Sequence, residues 1–185
     1  MFLLHPALTF FSCRAIVCPG YRFSGGSAMK KSLHPFWKVC SFLPALLLMC
    51  TIFSFSAQTG EVSSGLSYQV SARLVDTVSS ISGKELSDDD REMWIDRIHT
   101  PVRKAAHMSE YCLLALFVSL PLTVWGIRGR KRFLLALAFC TAFAGSDEFH
   151  QSFVGGRGPS LFDVLIDSAG AAAGCALLLI FKNRC

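Results

Sequence analysis

The stretch FLLALAFCTAFAGSDEFHQSFVGGRGPSLFDVLIDSAGAAAGCALLLIF, residues 133–181, decides the fold. It holds two apolar runs, each about 20 residues long and so able to cross a bilayer as a helix. Around their junction, in the adjoining ends of the two runs and the turn between, lie Asp147, Glu148, His150, Gln151, Arg157, Asp163 and Asp167. Ionisable groups at membrane depth are costly, turn toward protein or water, and mark functional sites.

Working outward, two further windows are equally apolar, which gives spans at about 36–56, 106–126, 133–153 and 161–181. Hydrophobic residues make up 52% of the 185 and charged ones 17%, too apolar a balance for an ordinary soluble domain. The expected fold is an all-α integral membrane domain of four transmembrane helices over residues 29–185. No alternating strand and no Gly-rich loop after a strand is present, so a dinucleotide or P-loop fold has no support. Residues 1–28 read as an N-terminal extension, either a mis-set start or a targeting segment. Met29-Lys30-Lys31 before the apolar run resembles a start, and the first span reads as uncleaved.

The net charge of +5 does not point to nucleic acid, because the basic residues gather at helix ends. Lys30, Lys31 and Lys38 precede the first span. Arg128, Arg130, Lys131 and Arg132 join the second to the third, and Lys182 and Arg184 follow the fourth. The positive-inside rule puts all three sets, and both termini, in the cytoplasm, with Trp37 and Trp125 at the inner interface. Of eight cysteines, Cys40, Cys50, Cys112, Cys140 and Cys175 lie in apolar segments. With Cys13, Cys18 and Cys185 outside them and no C-x-x-C pair, neither disulfides nor a metal site is expected.

The segment 57–105 then faces outward. Leu66, Val70, Leu74, Val78 and Ile81 form the stripe of an amphipathic helix lying on the outer surface. Ser87 with Asp90 reads as a capping pair for a second short helix containing Met93, Trp94 and Ile98. Thr100-Pro101 reads as an N-cap and first turn that open the second span.

This sidedness makes the polar groups converge. Arg103, His107 and Glu110 share one face at i, i+4, i+7, with Lys104 and Tyr111 beside it. Asp147, His150 and Gln151 share another, next to Glu148, and Ser160, Asp163 and Asp167 open the fourth span. Asp163 can serve as a capping residue. Asp167 lies about 10 Å beyond Ser160, out of capping reach; its candidate partners are Arg157, Lys104 and His107. Gly170 and Gly174 suit close helix packing. Gly155, Gly156 and Gly158 suit a tight turn or an anion nest.

Four readings of the cluster stand side by side. One is a structural network of ion pairs. Another is a pocket for the polar head of a lipid-linked molecule, with Arg157, Arg103 and Lys104 on its anionic group. The third is acid–base catalysis by His107 or His150 with Glu148 or Asp147. The last is a metal held by His107, Glu148, His150 and Asp163, which is weak without an H-E-x-x-H motif. No cofactor is expected. The cytoplasmic halves of the second and fourth spans lack ionisable groups, which argues against a proton path.

The pattern Lys104-x-x-His107-x-x-Glu110-Tyr111, then Asp147-Glu148-x-His150-Gln151, Gly156-Arg157, Ser160, Asp163 and Asp167, resembles the VanZ-like family. The likeness runs over residues 36–181 and includes Ile52-Phe53-Ser54-Phe55-Ser56-Ala57-Gln58. It implies a multi-pass protein of the bacterial cell membrane, related to one that lowers teicoplanin susceptibility. No catalytic role transfers with it, only the motif positions. The expected function is an outward-facing pocket that binds or modulates an envelope component, with a lipid-linked or glycopeptide ligand and reduced teicoplanin susceptibility as one outcome. The alternatives are a small membrane hydrolase or transferase, with His107, Glu148 and His150 as candidate catalytic residues, and a structural partner acting through segment 57–105 and Trp94.

Overall fold

A computed structural model describes residues 35–154, 158 and 160–182. The expectations about residues 1–28, the 155–157 turn with Arg157, and Cys13, Cys18 and Cys185 lie outside the described residues. The described residues form six helices and no strand: α1 Pro35–Cys40, α2 Leu43–Ser56, α3 Gly60–Ser82, α4 Asp88–Val124, α5 Gly129–Gln151 and α6 Leu161–Lys182. The five described cysteines are free thiols.

The first apolar run breaks into α1 and α2 at Ser41-Phe42. Pro44, in the first turn of α2, has no N–H to offer the Cys40 carbonyl, so the ladder cannot run through. The Ser41 hydroxyl donates to the Lys38 carbonyl at 2.6 Å instead. Pro35–Ser56 still has the length and apolarity of a single span.

Thr100-Pro101 does not open a helix. The expected short helix around Trp94 and the second span are one continuous element, the 37-residue α4. Its start is the expected cap: the Ser87 hydroxyl accepts from the Asp90 N–H at 3.2 Å and donates to the Asp90 carboxylate at 2.8 Å. Pro101 removes one N–H from the ladder, the one that would reach the Arg97 carbonyl. The turns on either side keep the rest, and the helix passes through.

Three helical stretches, Pro35–Ser56, Asp88–Val124 and Leu161–Ile180, are long and apolar enough to cross a membrane. The four expected spans are therefore three clear ones. The fourth candidate, α5, is helical for 23 residues, but Asp147, Glu148, His150 and Gln151 dilute its apolarity. Its outer face is nonetheless apolar, with Leu134, Leu135 and Phe139 exposed.

Helix α4 is the hub and packs on every other helix, while α5 packs on α6. The core is built from small side chains: Ala115, Ala136, Cys140, Ala144, Ala171 and Cys175, around Tyr111 and Leu114. Small residues allow close helix approach where lipid supplies no hydrophobic drive. The closest seam follows Gly170 and Gly174. A Cβ at Gly170 would lie 2.9 Å from the Met108 Cα, and one at Gly174 3.2 Å from the Cys112 Cα. These glycines set α6 directly against the α4 backbone.

Helix α3 is amphipathic as expected. It buries Ser71 and Val75, and packs on α4. Leu66, Val70, Leu74, Val78 and Ile81 stay exposed on a different face. Arg91 of α4 pairs with Asp76 of α3 at 2.6 Å.

Candidate functional site

Because α4 is unbroken at Pro101, His99, Arg103 and His107 line up at i, i+4, i+8, with Thr100 and Lys104 beside them. These five residues form one wall of a cavity of about 150 Å³. Glu148 and Gln151 of α5 and Asp163, Ile166 and Asp167 of α6 form the opposite wall, and Ser64 of α3 closes it. The helices thus bring together seven of the residues expected at a site: Arg103, Lys104, His107, Glu148, Gln151, Asp163 and Asp167. Four others were not expected: Ser64, His99, Thr100 and Ile166. His99 and Thr100 repeat the spacing of Arg103 and Lys104 one turn earlier. Treating Pro101 as a helix start hid that repeat.

A second cavity of about 130 Å³ lies beside the first, between the end of α2, the start of α3 and α4. Phe55, Gln58, Leu66, Ala106 and Glu110 are among its lining residues. Arg103 and His107 line both cavities. The His107 Nδ1 lies 3.7 Å from the Glu110 carboxylate.

The carboxylates divide by partner. Asp163 accepts from Lys104 at 3.1 Å, both side chains being partly exposed, and the ammonium sits 4.4 Å from the centre of the Phe162 ring. The Asp163 N–H donates to the Ser160 hydroxyl at 3.3 Å, so the expected cap is present as well. Glu148, only 7% exposed, accepts from the Ser160 N–H at 2.8 Å. A carboxylate at a helix N-terminus satisfies a free donor and meets the favourable end of the dipole.

Asp167 is 4% exposed, and its Oδ1 accepts no hydrogen bond from a described residue. Of its expected partners, Lys104 is engaged by Asp163 and His107 stands near Glu110. Asp147 lies behind the cavity rather than in its wall: Oδ2 accepts from the Gln151 amide at 3.0 Å, while Oδ1 has no partner among the described residues. Tyr111, fully buried, also lies behind the wall; its ring is 6.1 Å from Phe143 and its hydroxyl has no described partner. Asp147 and Asp167 are both within electrostatic range of Tyr111 and of each other.

His150 departs from expectation. It shares a helix face with Asp147 and Gln151 by spacing, but lines neither cavity. Its ring packs on Phe53 of α2 at 4.4 Å. That contact sets the ring beside α2, whereas Glu148 lines the first cavity. Among the described residues, no three of His, Cys, Asp and Glu gather around a common metal position.

The cavities sit at one end of the bundle. At the other, the Lys38 ammonium lies 5.9 Å from the Trp125 ring centre, which places α1 beside the α4–α5 connection with Arg128, Arg130 and Lys131. Arg132 in that region is buried and donates to the Thr123 hydroxyl at 3.0 Å, so it pins the turn as well as carrying charge.

These features define a class: a protein all-helical in its described residues, with helices long and apolar enough to cross a membrane and a cavity lined by charged side chains at one end. The chain belongs to the VanZ/LLP1 family, whose pattern matches residues 41–182. No curated protein and no solved structure matches the chain significantly.

Proposed function

We propose that the chain is a multi-pass protein of the cell membrane whose paired cavities face outward and bind a cell-envelope component. The single observation that carries this reading is Asp167. A carboxylate this buried, with an oxygen that accepts nothing from the described residues, is costly unless a ligand supplies the donor. Its position on a cavity wall beside Arg103, Lys104 and His107 supports the same view.

Depth supports it too. At 1.5 Å per residue, His107 stands about 27 Å along α4 from Trp125, close to the ~30 Å thickness of the hydrocarbon layer. If Trp125 marks one interface, the cavities open at the other. The basic residues around Trp125 favour the cytoplasmic side for that end, with N- and C-termini inside and α5 as the fourth span. The exposed Leu66–Ile81 stripe of α3 suits the outer membrane surface. Reduced teicoplanin susceptibility would then be a consequence of altering an envelope component.

A second reading, a small hydrolase or transferase, is favoured by one observation. His107 lines both cavities with Glu110 beside it and Glu148 in the same wall. In that reading His107 is the base, Glu110 orients it and Glu148 is the acid.

The test is a set of His107→Gln, Glu148→Gln and Asp167→Asn variants in cells lacking the native protein. The expected outcome is normal accumulation in the membrane with loss of the wild-type lipid and envelope-glycan profile and of any teicoplanin phenotype. Normal accumulation with an unchanged profile in all three would sink the pocket reading; reduced abundance in all three would mark a structural network. Sidedness is checked in a cysteine-free background: an impermeant thiol reagent should label Gly158→Cys and spare Arg130→Cys.

A further inference from the structure

The two cavities meet at Arg103, and their linings differ in kind. Glu148, Asp163, Asp167 and Lys104 border the first. The second has Phe55, Leu66 and Ala106 alongside Gln58, Ser63, Ser67, His107 and Glu110, yet most of its accessible surface is apolar, and Leu66 also begins the exposed apolar stripe of α3. Arg103, which with His107 lines both cavities, thus stands between a buried carboxylate on one side and a largely apolar crevice on the other.

Arg103 is half-buried and makes no hydrogen bond or ion pair with any described residue. The neighbouring charges are otherwise engaged. Lys104 holds Asp163, Glu148 holds the Ser160 N–H, and Glu110 stands by His107. Arg103 thus wants an anion, Asp167 wants a hydrogen-bond donor, and the apolar crevice wants hydrocarbon. Guanidinium is the side chain best shaped for phosphate oxygens. Size limits the rest. A cavity of about 150 Å³ is of the volume that takes up a benzene-sized molecule. That volume suits a small head group and is too small to enclose a disaccharide or a whole glycopeptide antibiotic.

We propose that the site binds a membrane phosphodiester lipid with a small donor-bearing head, its phosphate on Arg103, its head hydroxyl or ammonium on Asp167, and one chain leaving through the Phe55–Leu66–Ala106 crevice. This rests on the envelope-ligand reading above and gives its ligand a chemical class. The chain emerges beneath Leu66 and continues along Val70 and Leu74, which are exposed on the same face of α3. Any effect on a glycopeptide then passes through this lipid, not through capture of the drug.

The test uses the full chain in phosphatidylcholine nanodiscs holding a phosphatidylglycerol probe with a photoreactive group in one chain. Crosslinks should map to Phe55, Leu66 and Ala106 above the background on Leu134, Leu135 and Phe139. Unlabelled phosphatidylglycerol and phosphatidylethanolamine should compete; added phosphatidylcholine, which lacks a donor, and inorganic phosphate, which lacks a chain, should not. Arg103→Gln should lower site-specific labelling at least about tenfold, the loss expected for one charge-assisted hydrogen bond. Arg103→Lys should recover part of it. Ala106→Phe, which fills the crevice and leaves every charge in place, should also abolish it and carries the test if Arg103→Gln does not accumulate.

Labelling spread evenly over all lipid-facing residues overturns the proposal, as does normal labelling of a folded Arg103→Gln. Equal competition by phosphatidylcholine overturns the head-group assignment, and full competition by inorganic phosphate overturns the chain path. If labelling fails these criteria while Glu148→Gln still erases the envelope profile, the lipid is wrong and the pocket stands. If neither responds, both fall.

Discussion

The contact between α4 and α6 has two regions of opposite character. From Met108 to Cys112, α4 meets Gly170 and Gly174, and the backbones touch with no room for a methyl group. Immediately before it on α4, from His99 to His107, the same helices face each other across Asp163, Ile166 and Asp167 and enclose a cavity. The helices are continuous through both regions, and side-chain size differs sharply between them. Glycine closes the seam and fixes α6 in place, and the longer polar residues hold the adjoining end open. A rigid seam next to an open end is how a small bundle keeps a buried carboxylate such as Asp167 in position.

The seam should break first. Gly170→Val would drive branched carbons into the Met108 backbone and cost about 3 kcal/mol or more, at the upper end for overpacking. The measurement is membrane-extracted yield and thermal melting, and wild-type values for both would refute the seam. Gly174→Ala, against Cys112, should cost about 1–3 kcal/mol and leave a folded but less stable protein.

The open end should behave in the contrary way. Asp167→Leu removes a buried carboxylate whose Oδ1 accepts no described hydrogen bond, and should raise stability by about 1–3 kcal/mol while erasing the envelope phenotype. Lowered melting together with retained phenotype would place Asp167 in the structural network instead. Lys104→Met breaks an ion pair whose side chains are 37% and 43% exposed, and such pairs are worth under about 1 kcal/mol. Its melting shift should be small and should shrink further in high salt.

The smallest effect belongs to the outlying pair of Asp76 and Arg91. The Arg91 hydrogen bonds hold the Asp76 carboxyl below its ordinary range. A carboxylate depressed in the folded state contributes stability above its unfolded value, and loses it as pH falls through the folded one. The difference in melting between wild type and Arg91→Ala should therefore be present at neutral pH and vanish in acid. A difference that persisted at low pH would assign Arg91 a packing role instead.

Much of this was legible in the residues themselves. The apolar runs fix helices because the backbone must satisfy its own hydrogen bonds in lipid. The Ser87–Asp90 cap, the Gly170–Gly174 seam and the α3 stripe each follow from local spacing. So does the polarity of the cluster, since helical periodicity put Arg103 with His107 and Asp163 with Asp167. His99 and Thr100 were missed for a local reason as well: Pro101 is a legitimate helix opener, and only the turns before it show that the helix had already begun.

Sequence alone determined the helical character of the apolar runs, the family motif and which residues within a helix share a face; where α4 begins and where the first run breaks it did not. Tertiary structure decided which faces meet. It gave Lys104 to Asp163 rather than Asp167, turned His150 onto Phe53, set Asp147 behind the wall, and joined two cavities at Arg103. The physical reason is that spacing along one helix fixes direction about its own axis, whereas a partner on another helix is chosen by how the helices pack. Here that packing is governed by two glycines, about one and two helical turns along α6 from Asp167.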